Sequence, residues 1–192
     1  TTTAATEGEA TCEEVSEPEP KELKLKAPTA KAPTASTVVF DTSCGSFTVA
    51  LDDESMPKTA ASFQYLAEQG ADDGTPYHRV ITDFVVQGGD PLGTGIGDAG
   101  YSITEPVPPD TSYTSGIVAM AKTAAEPPGT SSSQFFIVTA PADAALPPDY
   151  AVVGEVTEGF ETVEAIEALA GGPELEDRPT QTVITESATV EG

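Results

Sequence analysis

The chain has one histidine, two cysteines, no tryptophan and only eight lysines and arginines among 192 residues. Each shortage removes a class of chemistry. His78 would have to serve any Ser-His-Asp or Cys-His site, yet neither cysteine stands in a nucleophile's setting and no G-x-S-x-G occurs, which argues against a hydrolase. One histidine and two distant cysteines do not make a zinc site. The paired acids Asp52-Asp53 and Asp72-Asp73 lack the spacing of a calcium loop, so no metal is expected. Acidic residues number 32, and the net charge of −24 repels phosphate backbones, which excludes nucleic acid as a partner. No apolar run approaches the roughly 20 residues of a spanning helix, so an integral membrane protein is not expected. The acidity itself has three readings: a solvated surface that keeps a secreted protein soluble, adaptation to a saline habitat, or steering of cationic clients.

What is present fits one sizeable core. At 38% hydrophobic, the chain can form a single domain with a tail. Residues 1–36 are rich in Thr, Ala, Glu, Pro and Lys with few large apolar side chains, so burial cannot offset the entropy of ordering them. They are read as a flexible acidic tail ahead of a domain at 37–192. Seven glutamates and four lysines lie in this tail, which leaves a net −21 on the domain. Thr1 in place of an initiator methionine is read as the mark of a mature or trimmed chain.

Thr37–Asp41 and Ser46–Leu51 read as antiparallel strands around Thr42-Ser43-Cys44-Gly45, with glycine free to take the positive φ of a tight turn. A helix is predicted from Pro57 to Gly70, with Asp52, Asp53 and Glu54 ahead of it and Ala60, Phe63, Leu66 and Ala67 as its buried stripe. Gly93–Gly100 formally contains G-x-G-x-x-G, but Pro91 precedes it, no helix can follow it and Asp98 would repel phosphate. A loop whose backbone approaches a bound peptide is the better reading. Lys122–Ser132 and residues 140–150 are further loops. Ala151–Val156 and Val183–Val190 are strands, and Phe160, Val163, Ile166 and Leu169 mark a second helix closed by Gly171-Gly172. Many short strands with only two helices predict a mostly antiparallel sheet or barrel.

The organising stretch is YHRVITDFVVQGGD, Tyr77 to Asp90, read as two short strands around Thr82-Asp83. It sets Arg79 and Gln87 close to a run of apolar side chains, the combination of a pocket with a few aimed donors. Two more strands follow, in GIVAMA (Gly116–Ala121) and SQFFIV (Ser133–Val138). These three runs, in this order, resemble the cyclophilins, a family of peptidyl-prolyl isomerases, and the likeness extends over residues 37–190 in the manner of a bacterial, exported member. The resemblance implies a closed eight-stranded antiparallel β-barrel capped by two α-helices. It also implies catalysis of rotation about X-Pro bonds without a cofactor, acting on proline-containing peptides and unfolded protein clients. By the same resemblance Arg79, Phe84 and Gln87 are catalytic. Val85, Gly93, Ala121, Lys122, Thr123, Gln134, Phe136, Leu146 and Tyr150 bind substrate, and His78 is structural.

Lys122 and Thr123 stand where the family usually carries asparagine and alanine, and Ala145 where many eukaryotic members carry a tryptophan that contacts cyclosporin A; weak cyclosporin A binding is therefore expected, in a monomer. Two rivals from other classes remain at this level: a proline-peptide binding module without useful turnover, and a structural envelope protein whose tail does the work. Arg79 separates the first from a catalyst, because a binder could dispense with it.

Cys12 has no packing role in a polar tail, and pairing with Cys44 in the first hairpin turn is how an exported protein would hold it. The protein is accordingly expected outside the cytoplasm, extracellular or in the cell envelope, with a lipid anchor ahead of Thr1 as one route. Closing a loop of this length is worth roughly 3–4 kcal/mol in the chain-entropy model. Denatured, unreduced protein should therefore contain no titratable thiol; finding two would refute the pairing.

Overall fold

A computed structural model describes residues 11–192, so the first ten residues of the expected tail lie outside the described part. The first hairpin is β1 (Thr37–Thr42) and β2 (Gly45–Leu51), followed by α1 (Pro57–Glu68). Then come β3 (Arg79–Ile81), β4 (Val85–Gly88), β5 (Ile103–Thr104), β6 (Ile117–Met120), β7 (Thr130–Ser131), β8 (Phe135–Val138) and β9 (Val152–Glu158). The chain closes with α2 (Phe160–Glu167) and β10 (Thr185–Glu191). Eight strands form one sheet in the order β10-β1-β2-β9-β6-β8-β4-β3, every pair antiparallel, while β5 and β7 pair apart from it.

The sheet curls into a barrel, and its closure differs from a continuous ladder. Its edges meet through the segment ahead of β3: the Gly74 N–H donates to Thr185 O (2.7 Å), the Tyr77 N–H to Val183 O (2.9 Å), and Pro76 bridges Ile184. Pro76 has no N–H to give and β3 is three residues long, so a full β3–β10 ladder cannot form.

Alternation along the strands divides the apolar residues into two sets. Val80, Val86, Val118, Met120, Phe135 and Ile137 point inward with Val38, Phe40, Phe47 and Val49. Val85, Ala119, Phe136 and Val138 point outward into a second cluster with Phe84, Leu146 and Tyr150. Phe63 of α1 closes one end of the core, edge-on to Phe135 at 5.5 Å and tilted on Phe40 at 5.7 Å. Truncating a buried phenylalanine of this kind costs about 3–5 kcal/mol. Val163 and Ile166 of α2 are buried in the same core, against β2, β3 and β4. The second helix ends at Glu167, short of Leu169, because Ala170 turns off to bridge Pro179.

Two features of α1 differ from expectation. The acids ahead of it do not cap it: Asp52 accepts from the N–H groups of Glu54 and Ser55, before the helix begins. The first-turn donors instead find buried Glu105, which accepts from the N–H of Lys58 (3.2 Å) and from the N–H and hydroxyl of Thr59 (2.8 Å each). The buried face is also wider than the expected stripe, for it includes Ala61, Ser62 and Gln64.

At Gln64 the cover comes from residues 11–36. They contain no helix or strand, in keeping with their composition, but they run along the domain instead of leaving it. The sulfurs of Cys12 and Cys44 are bonded (1.97 Å) and the Glu13 N–H donates to Ser43 O. Lys21 donates to the carbonyls of Gly70 and Asp73, and Leu23 and Leu25 pack on Leu66, Ala71 and Ala99. The N–H groups of Thr34 and Ala35 converge on the side-chain oxygen of Gln64. Composition alone missed this because the segment has no core of its own; the domain supplies one. The alternation Lys21-Glu22-Leu23-Lys24-Leu25-Lys26, odd positions half-buried and even ones exposed, was the available signal.

Lys21 lies beside Asp72, whose carboxyl is buried and pushed from 3.8 up to about 7, chiefly by desolvation, with Lys21 opposing and Asp73 reinforcing the shift. Between those values the folded protein holds a proton that the unfolded chain has released. The stability this confers is complete below the unfolded pKa and lost as pH rises through about 7. Asp72→Asn should therefore melt close to the parent at pH 4 and above it at pH 8, with each kcal/mol worth about 2–4 °C. A difference in melting temperature that stays constant between those pH values would contradict this.

Candidate active site

The outward set lies where three ladders share one level. Arg79 pairs with Gln87, Gln87 with Phe136, and Phe136 with Ala119. The hairpin between β3 and β4 turns through Asp83 at φ 56, a conformation aspartate tolerates, and brings Phe84 to the front of the row. The Arg79 guanidinium stands 6.0 Å from the centre of the Phe84 ring.

Two groups aim Arg79. Its Nη1 donates to Gln87 Oε1 at 3.3 Å, and its Nε lies 3.9 Å from the Asp177 carboxylate. Asp177 is fixed in turn, since its carbonyl accepts the Val80 N–H at 2.7 Å and its own N–H donates to Gly172 O. The chain of amides continues: Gln87 Nε2 donates to Gln134 Oε1 (3.1 Å), and Gln134 Nε2 donates to the carbonyls of Gly95 (3.1 Å) and Gly97 (2.8 Å).

Arg79, Phe84, Val85, Gln87, Ala121, Lys122, Phe136, Leu146 and Tyr150 enclose a cavity of about 120 Å³. Its floor is apolar and its rim carries the cation and the amide. Tyr150 stands edge-on to Phe136 at 5.4 Å, and the Lys122 ammonium lies 5.5 Å from the centre of the tyrosine ring. Tyr113, buried at the back, locks this wall: its hydroxyl donates to Tyr150 O (2.8 Å) and accepts the Tyr150 N–H (3.0 Å), while its carbonyl accepts from Ala144. Burial holds the Tyr113 phenol above its usual pKa, so it stays a neutral donor.

A second cavity of about 220 Å³ adjoins the first across Gln87, Ala121 and Lys122, and adds Thr123, Glu126, Ser132 and Gln134 on one side. Its other wall is the glycine-rich loop, through Gly95, Ile96, Gly97 and Asp98. Glu126 fixes the near side by accepting from the N–H and hydroxyl of Thr123. The buried carboxylate of Asp90 fixes the loop, accepting from the N–H groups of Leu92 (2.8 Å), Thr94 (2.9 Å) and Gly95. Gly97 must lack a Cβ, because one built there would fall on that carboxylate.

Most of the residues singled out from sequence therefore meet in two joined cavities. Gly93 does not: it turns back against Pro76, and Gly95 and Gly97 occupy the groove in its place. His78 lines neither cavity and lies behind the loop, with its pKa held low chiefly by burial, Asp90 opposing, so it is uncharged at neutral pH. Ala145 is exposed at φ 54 and does not line the groove. Tyr113, Asp177, Ile96 and Glu126 were not legible, since nothing local in the sequence tells which loop residues return to the site.

The model of the family described as cyclophilin type peptidyl-prolyl cis-trans isomerase/CLD matches residues 37–190. Among curated proteins, a peptidyl-prolyl cis-trans isomerase-like 1 of Aspergillus fumigatus is 38% identical over 153 residues, covering 78% of this chain and 91% of that protein. A peptidyl-prolyl cis-trans isomerase B of Streptomyces anulatus is 39% identical over 153 residues, covering 70% and 85%. Among solved structures, a cyclophilin type peptidyl-prolyl cis-trans isomerase of Cryptosporidium parvum, crystallised in the presence of the dipeptide Ala-Pro, is 29% identical with a TM-score of 0.73, over 81% of this chain and 99% of that one. With its three motifs gathered into one groove on the matching fold, the chain belongs to the cyclophilin type peptidyl-prolyl cis-trans isomerase family.

Proposed function

We propose that the smaller cavity holds the prolyl ring of a client, as a dipeptide-sized site would, and that Arg79 is the group that lowers the barrier to rotation. The observation that carries this reading is a guanidinium held from two sides by Gln87 and Asp177 at the rim of a cavity walled by Phe84, Val85, Phe136 and Leu146. Amide resonance imposes a barrier of about 18–20 kcal/mol, and rotation requires the nitrogen lone pair to localise. A guanidinium carries five N–H donors and no acceptor, so Arg79 can donate to the prolyl nitrogen as it pyramidalises. That bond exists only in the twisted state, and what is bound only there accelerates the reaction.

A hydrogen bond to a charged donor is worth roughly 1.5–3 kcal/mol, or about ten- to a hundredfold in rate. Desolvation by the four apolar walls, with Gln87 and Gln134 fixing the flanking peptide, supplies the remainder. The larger cavity takes residues flanking the X-Pro bond.

The protein acts as a monomer and outside the cytoplasm, the Cys12–Cys44 bond supporting the second point, because such bonds persist in oxidising compartments. Arg79→Ala should lower kcat/KM for X-Pro isomerisation by about ten- to a hundredfold while the melting temperature stays within the range of a surface substitution. Near-parental turnover in the folded variant would remove Arg79 from the mechanism.

Cyclosporin A should inhibit weakly, since alanine offers neither the indole face nor its N–H donor; losing such an anchor costs about 2 kcal/mol, roughly thirtyfold in affinity. Ala145→Trp should restore part of it, the larger side chain reaching from an exposed position beside Leu146 to the groove, limited by the left-handed backbone at φ 54. Inhibition of the unmodified protein as tight as that of a tryptophan-bearing relative measured alongside would contradict this reading of the loop.

A further inference from the structure

The glycine-rich loop is a thin wall with two faces. Ile96, Gly97 and Asp98 line the larger cavity on one side. On the other side the same three residues line a groove of about 210 Å³ whose far bank is Lys21, Glu22 and Leu23. The N-terminal segment is bonded to both ends of this wall. The Lys21 N–H donates to Pro91 O and the Leu25 N–H to Ala99 O, each at 2.9 Å.

Side chains repeat the attachment: Leu23 and Leu25 pack with Ala99 and Tyr101 over Leu66 and Ala71. The fit also leaves its mark on the domain. Gly100 has φ +88, and a Cβ added there would stand 2.9 Å from Lys24 Cα and 3.1 Å from Leu23 O and Leu25 N. A side chain at position 100 would thus collide with the segment as well as strain the backbone. The segment cannot drift, being tied by the Cys12–Cys44 bond on one side and by Gln64 on the other.

We infer that residues 21–25 are positioning residues of the active site, holding the Pro91–Gly100 wall from behind so that Gly95 and Gly97 present their carbonyls to Gln134 and the larger cavity keeps its shape. The inference rests on the reading of that cavity as the place for residues flanking the X-Pro bond. Loops held by few buried contacts open locally, and a wall that opens binds its ligand more weakly in proportion to the time spent open. The segment therefore acts on client binding and leaves the chemistry at Arg79 untouched.

The test uses the full chain with Leu23→Ser and Leu25→Ser combined, and Gly100→Ala as a second variant that perturbs the same contact from the loop side. Hydrogen exchange at the Thr94 and Gly95 amides, both bonded to Asp90, should quicken by about tenfold or more in each folded variant. For a peptide extended by three residues on each side of the X-Pro bond, KM should rise by about three- to tenfold with kcat unchanged. For a minimal peptide with one residue on each side, neither should move. A Leu23→Met, Leu25→Met chain should restore parental values. Unchanged amide exchange would overturn the inference whatever the turnover, and faster exchange with an unchanged KM for the long peptide would overturn it too. Absence of turnover in the parent chain would instead strike at the isomerase reading, which the exchange measurement does not depend on.

Discussion

The register between β4 and β8 is the constraint on which everything else rests. It sets Gln87 beside Phe136, and the β3–β4 and β6–β8 ladders then carry Arg79 and Ala119 to the same level. Because side chains alternate faces, a slip of β4 by one residue would turn Gln87 inward and bring Val86 to the groove, and a slip of β8 would do the same with Phe136 and Ile137. Neither arrangement of a buried amide and a wet isoleucine is tolerable, so the core that stabilises the barrel also specifies the site. Stability and function are thus settled by one parity choice, made in four-residue strands.

From that row the polar groups extend outward as one connected series. Asp177 holds Arg79, Arg79 meets Gln87, Gln87 meets Gln134, and Gln134 grips the glycine-rich loop whose other support is Asp90. The N-terminal segment backs that loop from outside. An acidic protein with only two arginines keeps one of them half-exposed in this series, where its pairing at 3.9 Å on a wet rim adds little to stability and serves to aim the guanidinium.

The barrel, its two helices and most of the groove were legible because their signals are local. The β-branched and aromatic runs FFIV and FVV, the proline that begins α1 and the three motifs all act within a few residues of one another. What escaped depends on partners far apart in the chain. Glu105 caps a helix 46 residues away, Tyr113 locks a loop 37 residues on, and Leu25 finds its core in Ala99. The resemblance assigns Gly93 to the groove, yet only Gly95 and Gly97 of that glycine series face it, because the Asp90 carboxylate folds the loop over itself. Composition shows residues 11–36 to lack a core of their own and says nothing of the one they share.

The most direct test of the central claim separates binding from rotation on the enzyme itself. Exchange NMR on a proline peptide bound to the Arg79→Ala chain gives the cis/trans rate of the bound state and the affinity in the same sample. An arginine that acts only on the twisted amide predicts a bound-state rate reduced by about ten- to a hundredfold with affinity nearly unchanged. Affinity lost while the bound peptide still rotates at the parental rate would make Arg79 a binding residue and contradict the account.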